Sequence, residues 1–441
     1  MIIIRNATAV QLEPPKVLNG VDIVIEGNKI AAIGEKAGEE YEKNNPSIKI
    51  IDAGGKVVMP GLVCSHHHYY SGLSRGIIAN VGPTPDFVSV LKNLWWKLDR
   101  ALDEESLYYS GLINSLEAIK AGTTAVVDHH ASPSYIRGSL QTIKRSFVET
   151  GLRGMTCYEV TDRNGMDGMN EGIEENIDFA AAAEREKKSG ERHLVEAAIG
   201  GHAPFTIPDE GLKKIADAVE KTGRGFHVHA GEGKYDVSYS HLRYNRDLMD
   251  RLNGFGLLNE NAIIVHGVHL SREDAELINR SGSFLIHNPK SNMNNSVGYN
   301  HRLPEYRNVA LGTDGIGANM YEEYKFAYFK HRDAGGPLSP DDFLKYLMNG
   351  NRLLERYFGG SFGRMEAGYA VDLVISDYQS PTPLLEENLA GHMAFGMTST
   401  DVRTVLVDGQ VVYEDREFPF DTETIFAESR KAAQKLWSRI Q

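Results

Sequence analysis

Phe226-His227-Val228-His229-Ala230-Gly231-Glu232 reads as the end of a strand running into a turn. Side chains alternate faces along a strand, so Phe226 and Val228 point one way while His227 and His229 point the other. Glu232 follows in the turn, three residues after His229. An imidazole able to bind a metal, with a carboxylate one short turn away able to carry protons, is the kernel of a hydrolytic metal site. A His-x-x-Glu alone is common, so its weight depends on what the rest of the chain brings to it.

Outward from this strand the chain keeps a rhythm. Apolar runs recur at Val57–Met59, Thr124–Val127, Gly154–Tyr158, Leu194–Ile199, Gly225–Val228, Ala262–Val265, Phe284–Ile286 and Val309–Leu311. Helical patterns lie between most of them: Leu112–Lys120, Leu140–Thr150, Gly172–Lys188, Asp209–Thr222 and Arg272–Arg280. Repeated strand–helix units predict an α/β protein built on a (β/α)8 TIM barrel over residues 57–365. Residues 1–56 read instead as short strands broken by Asn19-Gly20 and Glu26-Gly27-Asn28, with a polar, loop-like stretch at Glu39–Lys49. After a helical stretch at Pro340–Phe358, strands return at Val371–Ile375, Val402–Val407 and Val411–Tyr413, the last two joined by Asp408-Gly409, a hairpin signature. The simplest packing joins residues 1–56 and 366–441 in one small β-sandwich, with a C-terminal amphipathic helix over Glu423–Ile440.

Composition bounds the function. The 441 residues carry 47 basic and 60 acidic side chains, a net charge of −13, with no basic block suited to phosphate tracking. Nucleic acid and anionic membrane are thereby poor partners. Two cysteines, Cys64 and Cys157, imply no disulfide framework and fit a reducing compartment. The N-terminal run Met1-Ile2-Ile3-Ile4-Arg5-Asn6 is too short for a signal peptide, and no stretch reaches membrane-spanning length, so a cytoplasmic protein is expected.

In such a barrel, reactive groups sit at the C-terminal ends of the strands. The histidines fall there. Cys64-Ser65-His66-His67-His68 follows the first strand, with His66 and His68 sharing a face; His202 follows the fourth, His229 and Glu232 the fifth, His266 the sixth, His287 the seventh and Asp314 the eighth. His66, His68, His229 and Asp314 supply three imidazoles and a carboxylate, a set suited to one Zn²⁺ or Fe²⁺ with a position left for water. Bound there, the metal would bring the pKa of its water from ~15.7 to about 7. Asp314 can accept the water proton, His266 can hold the attacking oxygen, and Glu232 is placed to protonate the substrate.

With those residues in place, the chain resembles the amidohydrolase superfamily, in its cytosine/guanine deaminase and triazine hydrolase branch. The matching motifs are Met59-Pro60-Gly61-Leu62-Val63 leading to His66-x-His68, Gly122-Thr123-Thr124, His202-Ala203-Pro204-Phe205-Thr206, His229-Ala230-Gly231-Glu232, Val265-His266-Gly267-Val268-His269, His287-Asn288-Pro289-Lys290-Ser291-Asn292-Met293, Leu311-Gly312-Thr313-Asp314-Gly315 and Ala370-Val371-Asp372-Leu373. Trp95–Asp99 and Val127–Pro133 resemble a narrower aminohydrolase subgroup. The resemblance implies metal ligation by His66, His68, His229 and Asp314, proton handling by Glu232 and His266, substrate contact by His202, and a homodimer. Cys64-Ser65 and His67 depart from the branch's usual residues. No Lys stands on strand four to bridge two metals, so one metal is expected.

Other residues weigh differently. His227 reads as support behind His229, His269 as lying on the far side of its turn, and Cys64 as a small buried filler. His287 divides evenly between support and structure, and one of His129 and His130 is expected to face the barrel mouth. Trp95 and Trp96 read as core or rim. Lys234–Arg251, rich in Tyr and Arg, could fold over the pocket as a lid or be a solvated helix, and Arg75 invites the same reading as a substrate contact. Together these expectations describe a metal-dependent hydrolase of a non-peptide C–N bond in a nitrogen heterocycle, with a deaminase ahead of a ring-opening amidase and a non-catalytic scaffold last.

Overall fold

A computed structural model describes residues 1–45, 47–78 and 82–440. Both ends of the chain meet in one eight-stranded sheet, whose order runs Gln410–Tyr413, Val402–Val407, Leu373–Ser376, Val57–Pro60, Ile2–Leu12, Pro15–Glu26, Lys29–Gly34, with Lys49–Asp52 pairing alongside Ile2–Leu12. The Asp408-Gly409 turn closes its hairpin with both residues at positive φ (52° and 74°), the conformation an Asp-Gly pair tolerates. Alternation places Ile4, Ala7, Ala9, Ile23, Ile25, Val58, Leu373, Ile375 and Leu406 in one apolar core on this sheet.

Val57–Pro60, expected as the first barrel strand, belongs to this terminal sheet: Val58 opposes Ala9 in parallel and Ile375 antiparallel. The parallel set begins instead at Leu62–His67, after Gly61. Both segments are buried along their whole length, so no alternation separates them; the hydrogen-bonding partners do. Part of the stretch expected as loop is a short helix, Gly38–Asn44, with Glu39 and Glu40 in its first turn and Lys43 in its last, matching the helix dipole.

Two parallel sheets follow, Leu62–His67, Thr123–Asp128, Arg153–Thr156 and Val195–Ala197 in one, Ile199–Gly201, Phe226–Ala230, Ile263–His266, Phe284–His287 and Val309–Leu311 in the other. Only Ala198 separates Val195–Ala197 from Ile199–Gly201, so a single stretch of chain passes from one sheet to the next. At the far side, Thr313 and Asp314 donate their backbone N–H groups to the His66 carbonyl at 2.9 and 3.1 Å, beside a parallel bridge between His67 and Asp314. Helices Glu104–Lys120, Ser139–Thr150, Gly165–Ser189, Asp209–Thr222, Arg272–Ser281 and Pro340–Phe358 flank the strands. Three begin with reciprocal capping boxes (Asp103 with Ser106, Ser271 with Asp274, Ser339 with Asp342), which satisfy orphan amides at their N-termini. The C-terminal helix Thr422–Arg439 returns to the parallel sheets, its Trp437 Nε1 donating to the Leu73 carbonyl at 2.8 Å. No helix among the described residues is long and apolar enough to cross a membrane.

The terminal sheet is locked to the parallel ones by a buried ion pair. Arg153, on Arg153–Thr156, donates from Nε to Asp372 Oδ2 at 2.8 Å and from Nη2 to both Asp372 Oδ1 and Asp408 Oδ1, each at 3.1 Å.

Candidate active site

The carboxyl ends of the parallel strands bring His66, His68, His202, His229, Glu232, His266 and Asp314 to the floor of one cleft, all of them buried. Local turns do the aiming. Gly231 adopts φ +62°, donates its N–H to Asp236 Oδ2 at 2.7 Å and accepts from the His269 N–H at 2.8 Å, which fixes the turn that carries Glu232. His266 and Asp314, neither a glycine, hold positive φ values of 72° and 56°. Such strain costs on the order of 1–3 kcal/mol per residue and persists where surrounding structure imposes it.

The proton positions follow from the partners. A ring nitrogen facing a carbonyl oxygen must carry the hydrogen. His68 Nδ1 lies 2.6 Å from the His129 carbonyl and His229 Nδ1 lies 2.9 Å from the His202 carbonyl, so both Nδ1 atoms carry hydrogens and both Nε2 atoms point into the cluster. His66 Nδ1 meets His227 Nε2 at 2.9 Å, which gives His227 the supporting position expected for it. The free ends converge: His66 Nε2 is 3.2 Å from His229 Nε2 and 3.3 Å from Asp314 Oδ1, and His68 Nε2 is 2.7 Å from the same oxygen. Tetrahedral ligands about 2.0–2.1 Å from a Zn²⁺ would lie about 3.3 Å apart. Burial opposes a charge on His68, but Asp314 and Glu159 raise it well above the ordinary imidazole range, so its 2.7 Å contact with the Asp314 carboxylate is bridged by a proton, a place that a divalent metal suited to this donor set can take. Burial pushes His66 down to about 3 and lowers His229, which keeps both imidazoles neutral as ligands must be. Burial opposes ionisation of Asp314 too, but His68 and His66 beside it hold it well below the usual carboxylate range.

Glu232 and His266 stand next to this cluster. Glu232 Oε1 accepts from Asn295 Nδ2 at 3.3 Å, and its Oε2 is 3.5 Å from His266 Nε2. Burial, then the negative charge of Asp314, pushes the Glu232 carboxyl well above its ordinary range, so it holds a proton. His266 donates from Nδ1 to Asn292 Oδ1 at 2.9 Å, leaving a buried Nε2 lone pair that faces both carboxyl groups. A proton donor and a proton acceptor thus flank the cation cluster.

Above them the cleft has about 880 Å³ of empty volume, with Phe87, Trp95, Trp96, Phe205 and Tyr235 among its walls. Arg75 does not line it. Its side chain is 70% exposed and pairs with Glu117 through two hydrogen bonds of 2.6 Å, so the expected substrate contact is a surface ion pair. The Lys234–Arg251 stretch forms two helices, Lys234–Tyr244 and Leu248–Gly254, and supplies Tyr235 and Asp236 to the cleft. Arg251 turns inward, 1% exposed, donating to the Pro204 and Ile207 carbonyls at 2.8 and 2.7 Å, and so is pinned away from substrate. His269 bonds the Val297 carbonyl at 2.7 Å, and Cys64, pushed up to about 11 by burial, is no thiolate. His129 faces the cation cluster, whereas His130 bonds Ser132 at 2.7 Å. His287 is fully buried against Tyr299. Sequence reasoning missed Asp99, Glu159 and Arg163, which also line the cleft. The signal was present for Glu159, which ends the third apolar run, at the strand end to which no group had been assigned.

The Amidohydrolase family model matches residues 57–412, from the last strand before the parallel sheets to the closing hairpin. The chain belongs to the amidohydrolase family. It is 30% identical to a 5-methylthioadenosine/S-adenosylhomocysteine deaminase of Pelotomaculum thermopropionicum, over 99% of each chain. In fold it is similar to an adenosine deaminase of Xanthomonas campestris solved with zinc (TM-score 0.83, 21% identity, 99% of this chain and 98% of that one). It is likewise similar to the zinc-complexed atrazine chlorohydrolase of Arthrobacter aurescens (TM-score 0.82, 21% identity, 98% and 100%). As an amidohydrolase with these relatives, the protein is a metal-dependent hydrolase acting on carbon–nitrogen bonds other than peptide bonds.

Proposed function

We propose that this amidohydrolase deaminates an aminated nitrogen heterocycle, with an adenine-type nucleoside as the leading substrate class. The observation that carries the reading is the buried Glu232 carboxyl, held well above its ordinary range by burial and Asp314, in one cleft with the convergent nitrogens of His66, His68 and His229 and the Asp314 carboxylate. These four residues are taken as the metal ligands, with Zn²⁺ ahead of Fe²⁺. The two parallel sheets are read as one (β/α)8 barrel closed between His66 and Asp314, and the terminal sheet as a sandwich formed from both ends of the chain.

A divalent metal bound there acidifies water at neutral pH. The protein's own groups do the rest. His266 Nε2, with its ring proton committed to Asn292, is the acceptor for the attacking water's proton. Glu232 gives its proton to the ring nitrogen next to the reacting carbon, so that electron density entering the ring is neutralised as it develops. The His266 proton passes to the exocyclic amine, which leaves as ammonia; the added oxygen gives its remaining proton back to Glu232 as the carbon–oxygen double bond forms, and the heterocycle becomes an oxo compound. Phe87, Trp95, Trp96, Phe205 and Tyr235 suit a planar ring. His202, its Nδ1 held by Thr206 at 2.9 Å, turns its other nitrogen toward that space. The deaminase relative, named for 5-methylthioadenosine and S-adenosylhomocysteine, supports a nucleoside over a free base.

The test is a panel of aminated purines, purine nucleosides, pyrimidines, pterins and triazines, with ammonia and ring absorbance followed together. Ammonia released in step with an amino-to-oxo spectral change supports deamination. Ring absorbance lost without ammonia would replace it with ring opening. The same reading takes the protein to be a cytoplasmic homodimer, which sedimentation equilibrium and cell fractionation test directly.

A further inference from the structure

One short helix reaches three of the groups assigned to the chemistry. Pro289–Asn294 follows the Phe284–His287 strand, and Asn295 closes it. Ser291 Oγ donates to Asp314 Oδ2, Asn292 Oδ1 meets His266 Nδ1 at 2.9 Å, and Asn295 Nδ2 donates to Glu232 Oε1 at 3.3 Å. Asn295 Nδ2 also lies 3.3 Å from Ser291 Oγ, so the partners of Glu232 and Asp314 are tied to each other. All three contacts share one backbone. A small rotation of this helix would therefore move Asp314, His266 and Glu232 out of register together.

A helix of six residues does not hold its place by its own hydrogen bonds. Its N-terminus also lacks a cap from its own chain end. The side chain of Asn288, at the N-cap position, accepts nothing from the helix, and Pro289 has no N–H. The first free amide is that of Lys290, an orphan donor that needs an acceptor from elsewhere. It donates to Glu323 Oε1 at 3.1 Å, a fully buried carboxylate on a different helix, Met320–Asp333. The Lys290 ammonium lies 3.6 Å from Glu323 Oε2 and 3.3 Å from Glu322 Oε2, so its amide and its side chain engage the same helix. That helix is itself well anchored: Tyr324, fully buried, donates to the Pro340 and Ala390 carbonyls at 3.0 and 3.1 Å. Neither Lys290 nor Glu323 lines the cleft.

We propose that Glu323 is a positioning residue for the reaction. By capping Lys290 from Met320–Asp333, it sets where Ser291, Asn292 and Asn295 hold Asp314, His266 and Glu232. The inference rests on the roles given above to those three groups. Its specific feature is an acceptor oxygen at the reach of a glutamate side chain, which glutamine keeps, aspartate brings up short and alanine lacks. Loss of an outer partner of this kind changes metal affinity or activity by about 10–100-fold.

The test compares the full-length wild type with Glu323→Gln, Glu323→Ala and Glu323→Asp. Each protein is stripped and titrated with Zn²⁺ by calorimetry, then assayed for ammonia release at saturating Zn²⁺, with melting temperature recorded alongside. Glu323→Ala is expected to bind Zn²⁺ about 10–100-fold more weakly and, once loaded, to lose about 10–100-fold in kcat with KM within about threefold of wild type. Glu323→Gln is expected to recover both quantities to within about threefold of wild type, and Glu323→Asp to behave as Glu323→Ala. A purely structural residue would lower the melting temperature and leave loaded kcat and zinc affinity unchanged; that result in folded Glu323→Ala would overturn the proposal. Glu323→Gln no better than Glu323→Ala would overturn it too. Should Glu323→Ala fail to fold, Glu323→Asp against Glu323→Gln decides. If wild type turns over no compound of the panel, the proposed activity fails, and zinc affinity still decides the role of Glu323.

Discussion

In a Glu232→Gln variant the side chain keeps its shape and its contact with Asn295 but has no proton to transfer. Proton transfer by a positioned side chain contributes about 10²–10⁴-fold, equivalent to about 2.7–5.5 kcal/mol of barrier. Glu232 lies outside the four convergent ligand atoms, so metal content should equal that of wild type while kcat falls by that factor. The pH profile adds a second, independent signature. Burial and the Asp314 charge hold the Glu232 carboxyl well above its ordinary range. Activity that depends on its acid form is therefore present below the raised pKa and is lost as pH rises through it. Wild-type kcat/KM should show this basic limb, and Glu232→Gln should lack it. The assay is ammonia release across the pH range, with metal measured on the same samples. A kcat within about threefold of wild type, or the same basic limb in the variant, would refute the proton-transfer role.

Other perturbations separate the parts of the site. His229→Ala removes one of the four convergent donors and should lose stoichiometric metal and turnover together, as mass spectrometry and ammonia assays would show. Chelation of wild type should abolish turnover and lower the melting temperature, because a ligand present at 1,000 times its dissociation constant contributes about 4 kcal/mol; readdition of Zn²⁺ or Fe²⁺ should restore both. Arg75→Ala should leave KM within about twofold, since an exposed ion pair with Glu117 contributes about 0–1 kcal/mol to stability and the residue is absent from the cleft. Asp372→Ala would leave the buried Arg153 guanidinium with Asp408 as its remaining carboxylate and should cost at most about 3–5 kcal/mol in denaturant unfolding, whereas metal affinity of the protein that remains folded should be unchanged.

What the chain disclosed in advance depended on the range of the interaction. The positions of His66, His68, His202, His229, Glu232, His266 and Asp314 were legible because each follows an apolar run, and strand ends in this architecture face one cleft. Val57–Pro60 was misassigned because its identity depends on pairing with Ile2–Leu12 and Leu373–Ser376, far away in the chain. Arg75 and Arg251 look alike as basic residues near the site, yet Glu117 draws one out to solvent and two backbone carbonyls pull the other inward. The approach of His129 to Glu159, 3.3 Å between Nδ1 and Oε1, needed coordinates, since the two residues follow different strands.

The central place of Val57–Pro60 in the terminal sheet also sets a timetable for folding. This strand is made long before its neighbour Leu373–Ser376 leaves the ribosome. At about 5–20 residues per second, its four apolar residues wait on the order of tens of seconds with one edge bare. The parallel strands can assemble during that interval, but the first sixty residues cannot reach their final state beside them. Arg153 waits as well, because both of its carboxylate partners, Asp372 and Asp408, arrive with the same late segment. A nascent chain halted before Leu373 thus presents an open apolar strand edge together with an unneutralised guanidinium, a form suited to capture by chaperones or proteases before any enzyme exists.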